Sequence, residues 1–169
     1  MIRLYLVQHG EAHPENVDPA RSLTDTGRLQ IMRSAEGIKR LQIVPDMIFT
    51  STKKRAVQSA EIFSEVVGIR SSSIVQDDVF KPSGDPESAL RFIKEKLSQC
   101  VNESTLHLLI AGHMPSVAKI ANVLTGCGES IAFKNGAVLC IETELLEQRA
   151  GKILWYILPE QFEILATAR

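Results

Sequence analysis

Short β-prone apolar runs alternate along this chain with apolar stripes at helical spacing, and that alternation limits the fold more than any other feature. Leu4-Tyr5-Leu6-Val7 reads as a short buried strand. After a polar loop through Pro14, Asn16 and Pro19, Thr24 is placed to cap a helix from Asp25 to about Leu41, with Ile31, Ala35 and Ile38 on its core face. Asp46 to Thr50 is the second strand. A helix from Lys53 follows, striped by Ala56, Ala60, Phe63 and Val67 and stopped by Gly68. Ile74-Val75 suggests a short strand, and Asp85 with Pro86 opens a helix striped by Leu90, Ile93, Leu97 and Cys100. Thr105 to Ala111 is a further strand, and Met114-Pro115 leads into a helix carrying Val117, Ala118, Ala121 and Leu124, ended by Gly126. An Asn135-Gly136 turn signal precedes a strand from Ala137 to Ile141, which Lys152 to Leu158 joins as a hairpin through Glu147 to Gly151. Pro159 starts a last helix through Phe162 and Leu165.

This order predicts an α/β fold: a three-layer α/β/α arrangement whose mostly parallel sheet is covered on both faces and takes a late antiparallel hairpin at its edge. No repeat, low-complexity tract or linker divides the sequence, so residues 1–169 are expected to form one domain. A formal net charge of −1 gives no reason to expect nucleic acid or an anionic membrane surface as partner, so any anion site must be local. Three cysteines without ligand-like spacing, Cys100, Cys127 and Cys140, suit free thiols, and too few apolar residues follow Arg3 for a signal peptide. A cytoplasmic protein is the expectation.

The candidate chemistry lies where strands end. The first strand stops at Gln8, His9 and a Gly10 that lets the backbone turn, and the run from Leu106 to Ala111 stops at Gly112 and His113. Ligands of open α/β sheets bind at such carboxyl ends. Arg55, in the first turn of the helix after the second strand, is unfavourable with that helix's dipole unless an anion lies nearby. His13 precedes Pro14, which biases it away from helical geometry, so His9 and His13 are not read as a metal pair. His107 sits within a strand and reads as structural. There is no nucleophile-elbow serine, and no glycine-rich phosphate or dinucleotide loop. Paired histidines with arginines at strand ends suit phosphoryl transfer: a neutral imidazole can attack phosphorus while a guanidinium binds the phosphoryl oxygens.

At these residues the chain resembles a known family. Leu6-Val7-Gln8-His9-Gly10-Glu11-Ala12 is similar to the Arg-His-Gly signature of the histidine phosphatase superfamily, the phosphoglycerate-mutase-like proteins. Arg21-x-Leu23-Thr24-x-x-Gly27, Thr50-Ser51-x-x-x-Arg55-Ala56-x-Gln58-Ser59-Ala60 and Ala111-Gly112-His113-Met114-Pro115 follow in the order of its short branch, the SixA-type phosphohistidine phosphatases. The resemblance implies the phosphoglycerate-mutase-like fold, His9 as nucleophile, Arg55 and His113 gripping the phosphate, Arg21 at or bordering the pocket, and neither cofactor nor metal. It implies a phosphatase acting on phosphohistidine presented by a protein.

In one place the pattern departs: Gln8 stands where the family has arginine. Its amide can bind a phosphoryl oxygen but brings no charge and no fork, a loss of about 3–4 kcal/mol, or ~10²–10³ in rate, by analogy with removing one oxyanion donor. Two other readings therefore stay open: a weakened phosphate- or phosphoprotein-binding module, and a phosphatase or mutase for small phosphate esters. Larger relatives protonate an ester's leaving oxygen with an acid from a mid-chain insertion. Here that region is short, and its acids, Asp77, Asp78, Asp85 and Glu87, read as capping or solvated groups. A phosphoramidate nitrogen depends less on such an acid.

Overall fold

Strand β1 (Ile2–Gln8) lies inside a six-stranded sheet, between β4 (Leu106–Gly112) and β5 (Val138–Thr143). Beyond β4 come β2 (Met47–Thr50) and the edge strand β3 (Ile74–Gln76), and beyond β5 lies β6 (Gly151–Ile157), giving the order β3-β2-β4-β1-β5-β6. The four strands β3, β2, β4 and β1 are mutually parallel, whereas β5 runs antiparallel to β1 and pairs with β6 in a hairpin. The mostly parallel sheet with a late antiparallel hairpin is therefore the fold observed. The computed structural model describes residues 1–98, 105–127 and 130–167.

Among the described residues five α-helices cover the sheet: α1 (Asp25–Arg40), α2 (Lys54–Val67), α3 (Pro86–Leu97), α4 (Ser116–Thr125) and α5 (Pro159–Thr167). Successive residues of β1 feed opposite faces, as strand pleating requires. Leu4 and Leu6 pack with Leu90 and Ile93 of α3 and Val117, Ile120 and Leu124 of α4. Tyr5 and Val7 pack with Ile31, Ala35 and Ile38 of α1, Ala60 and Phe63 of α2 and Phe162 of α5. Two cores on one sheet make the three layers.

The local signals act as read. Thr24 caps α1, accepting the Gly27 N–H at 3.0 Å, and Asp85 caps α3 by accepting the Ser88 N–H at 2.8 Å. Gly68 and Gly126 end α2 and α4 in left-handed conformations. Boundaries differ by a few residues: β4 runs on to Gly112, and β5 covers Val138–Thr143 rather than ending at Ile141, because pairing with β1 continues to Thr143 opposite Ile2. Cys127 is exposed and Cys140 buried, both free thiols, and Cys100 lies outside the described residues. Among the described residues no helix is long and apolar enough to cross a membrane.

Candidate active site

Strand register brings the two histidines together. Gln8 pairs with Gly112, so His9 and His113 leave neighbouring strand ends side by side, and the His9 N–H donates to Gly112 O at 3.0 Å. The rings meet edge-on, with centroids 5.0 Å apart and planes at 65°. On the far side of β4, Thr50 of β2 lies opposite Ala111 and donates its hydroxyl to Ala111 O at 2.9 Å. That brings the next residue, Ser51, within 2.6 Å of His113 Nε2.

The first two turns of α2 bind this edge from one side. Arg55 Nε donates to His9 Nε2 at 3.0 Å, Gln58 Oε1 accepts the Leu23 N–H at 2.8 Å, and Ser59 Oγ accepts the Gly10 N–H at 3.3 Å. Spacing of three and four residues puts those side chains on one helical face. Gly10 is not in a left-handed conformation, and its need for glycine comes from packing. A Cβ there would lie 2.2 Å from Gly27 O, and one at Gly27 would lie 2.0 Å from Glu11 O. Both glycines are needed because the loop after β1 lies against the first turn of α1.

His9 is held neutral with a defined tautomer. Its Nδ1 is 2.6 Å from Gly10 O, an acceptor only, so Nδ1 carries the proton and Nε2 keeps its lone pair. Burial pushes the imidazole down to about 4, and the Arg55 and Arg21 guanidinium groups push the same way against the Gly10 hydrogen bond. His113, 1% exposed, is pushed to about 3 by burial first and then by His9 and Arg55. Arg55 is itself buried and, like Arg21, pairs with no carboxylate among the described residues. Two guanidinium groups beside two neutral imidazoles, without a matching anion, form a site for an anionic ligand.

Those four residues, with Gln8, line one cavity of about 360 Å³. Gln8 Oε1 and His113 Nδ1 are buried there without a partner. Leaving a buried polar atom unpaired costs about 1–3 kcal/mol. A half-turn of the Gln8 amide exchanges oxygen for NH₂ and would offer a donor instead. Arg21 reaches the cavity through a residue with φ of 52°, a left-handed conformation that costs a non-glycine residue about 1–3 kcal/mol. Asp18 organises that bend by accepting the Ala20 and Ser22 N–H groups and the Ser22 hydroxyl.

The cavity also takes residues to which the sequence reading gave no role. Asn135 lines it and donates Nδ2 to His9 O at 2.8 Å, while the Gly136 N–H donates to Gln8 O at 2.9 Å. The Asn-Gly pair is thus a turn that fastens both candidate residues, and only its turn signal was legible. Glu11 and Met114, each adjoining a motif residue, complete the lining with Ala12. The mid-chain acids do not line the cavity. Asp77 caps a short turn through the Val79 N–H, Asp78 accepts from Thr52 and Lys81, and Asp85 caps α3. Arg28, Lys53 and Lys54 are likewise absent from the lining, and His107 Nδ1 is 2.8 Å from the Tyr5 hydroxyl in the strand interior.

The profile of the histidine phosphatase superfamily (branch 1) matches residues 4–81, a span that carries Gln8, His9, Arg21 and Arg55. Over that span, just under half of the chain, the sequence is similar to the histidine phosphatase superfamily. Solved structures agree with that family's fold over nearly the whole chain. Protein histidine phosphatase SixA complexed with tungstate is 19% identical, with a TM-score of 0.78 over 93% of this chain and 97% of the other. A putative phosphohistidine phosphatase SixA from Agrobacterium tumefaciens is 21% identical, with a TM-score of 0.71 over the same shares. A mycobacterial glucosyl-3-phosphoglycerate phosphatase complexed with VO3 is 14% identical, with a TM-score of 0.68 over 90% of this chain and 97% of the other. No curated protein matches the sequence. At these identities the likeness to solved structures is one of fold, the phosphoglycerate-mutase-like α/β/α sandwich.

Proposed function

We propose that this protein is a one-domain cytoplasmic phosphatase that hydrolyses phosphohistidine on a protein, with His9 as nucleophile. The observation that carries the reading is His9 Nε2: a neutral imidazole nitrogen, its tautomer set by Gly10 O, facing a buried guanidinium that no carboxylate among the described residues pairs with.

In the first step Nε2 attacks phosphorus and forms a P–N bond, while the bond to the leaving nitrogen breaks and that nitrogen keeps the electron pair. A leaving imidazole already protonated on its other nitrogen departs neutral and needs no acid. As a phosphoryl group enters, the N–H groups of Arg55 pass to its oxygens and the Nε2 lone pair is released. Arg21 and His113 complete the grip, and Asn135 holds the His9 main chain in place. Water then attacks the phosphorus on His9, giving its proton to solvent and releasing inorganic phosphate and the free imidazole. SixA, similar in fold, is a protein histidine phosphatase seen with tungstate, and the open cavity without any contribution from residues 77–87 suits a phosphoryl group on a protein surface.

Gln8 favours a second reading, a binding module with weakened turnover, because its buried oxygen occupies the cavity where the family has a charged fork. Release of inorganic phosphate from a histidine-phosphorylated carrier protein tests both. Release by the wild type and its loss in His9→Ala support the enzyme. Equal inactivity of the two proteins, with phosphate still bound, favours the module.

A further inference from the structure

Glu11 is the one carboxylate lining the cavity among the described residues, in company with two guanidinium groups. A carboxylate free to swing in such a place would close on an arginine. Instead its Oε1 accepts the Thr24 hydroxyl at 2.8 Å, and the same Thr24 Oγ1 accepts the Gly27 N–H to cap α1. Its main chain is held as firmly. The Glu11 N–H donates to Gln30 Oε1 at 2.9 Å, Glu11 O accepts the Thr24 N–H at 3.0 Å, and no atom larger than hydrogen fits on Gly27 behind it. Glu11 is exposed, whereas Arg55 and His113 are buried. It therefore lines the cavity from the solvent side, the side from which a group on a protein surface enters.

From this geometry we infer that Glu11 determines specificity by the charge of the leaving group, accepting a cationic N–H and opposing a second anion. The inference rests on the phosphatase reading and names what that site selects. A phosphohistidine ring protonated on its free nitrogen presents a cationic N–H next to the phosphoryl group, and a carboxylate accepts it in a charge-assisted hydrogen bond. The same carboxylate repels an ester whose organic part carries a carboxylate or a second phosphate. Since the ring loses positive charge as the P–N bond breaks, the contact is stronger with bound substrate than in the transition state. Its effect falls on KM more than on kcat.

The test compares wild type with Glu11→Gln, which keeps an oxygen for the Thr24 hydroxyl, on three substrates: a histidine-phosphorylated carrier protein, 3-phosphoglycerate as a carboxylate-bearing ester, and p-nitrophenyl phosphate as reference. Glu11→Ala serves as a second variant, and thermal melting shows that each is folded. The expected result is a rise in KM for the phosphohistidine protein of about three- to tenfold relative to the reference, with kcat/KM for 3-phosphoglycerate rising relative to it. Equal losses on all three substrates, or unchanged ratios, overturn the inference while leaving the phosphatase reading intact. A wild type that hydrolyses the esters but not the phosphohistidine protein overturns the substrate reading and this inference with it.

Discussion

Arg55 Nε donates to His9 Nε2 at 3.0 Å, so the guanidinium placed to bind a phosphoryl group also occupies the lone pair that would attack it. Ligand binding and release of the nucleophile are then one event. Arg55→Lys keeps the charge but loses the planar fork. It is expected to lower kcat/KM by about 10²–10³ on a phosphohistidine protein, the loss that follows removal of one oriented oxyanion donor. Steady-state kinetics check this, and a change of less than about threefold would separate Arg55 from the phosphoryl group.

The depressed histidines set the pH dependence. With His9 neutral down to about 4, loss of the free nucleophile is expected to lower kcat/KM only as pH drops through about 4. Bound tungstate, an anion beside the ring, is expected to raise that value, which NMR titration of the imidazole reads directly. Stability follows from the same shifts. The unfolded chain takes up protons near 6.5 while folded His9 and His113 resist to about 4 and 3, so folding weakens as pH falls from about 6.5 toward that range. Urea melts at pH 7 and pH 4.5 measure the loss, and His113→Asn is expected to shrink it.

Gln8 leaves the cavity one guanidinium short of the family pattern. Gln8→Arg is expected to raise kcat/KM on the phosphohistidine protein by up to about 10²–10³, since it adds a charged donor where a buried oxygen is unpaired. An unchanged rate would mean that the pocket has compensated, with Arg21 the second guanidinium in its lining, or that it fails elsewhere.

Gly27 lies outside the cavity lining yet sets its wall. In Gly27→Ala the new methyl would lie 2.0 Å from Glu11 O, so the loop carrying His9 to Ala12 must move off α1. The expected outcome is destabilisation of about 1–3 kcal/mol, as for other overpacked sites, together with lost phosphatase activity. Urea denaturation and kinetics on the same preparation check both, and a variant of wild-type stability would contradict the packing described.

Much of this site could be read before the fold was known because it lies at strand ends. Buried apolar runs end abruptly, so the residues following them, His9 and His113, stand out, and the parallel register of Gln8 with Gly112 makes them neighbours. Thr24, Asp85, Gly68 and Gly126 were equally legible, since capping is a local preference. Long-range packing was not. Gly10 looks like a turn residue in sequence, but it is required by Gly27, seventeen positions away, and Asn135 reads as half of a turn although its side chain fastens His9 across the sheet. Glu11 was hidden differently: between Gly10 and Ala12 it passes for a solvated loop charge, and only the Thr24 contact shows it fixed at the cavity.

The central claim is that His9 carries the phosphoryl group. The most direct measurement mixes the protein with a carrier protein radiolabelled on phosphohistidine, quenches in base within the first turnover, and maps the label. The account predicts an acid-labile, base-stable phosphoryl group on the peptide containing His9, absent in His9→Ala and chased to inorganic phosphate in the wild type. Phosphate released in a full turnover with no label on that peptide, or released equally by His9→Ala, would contradict it.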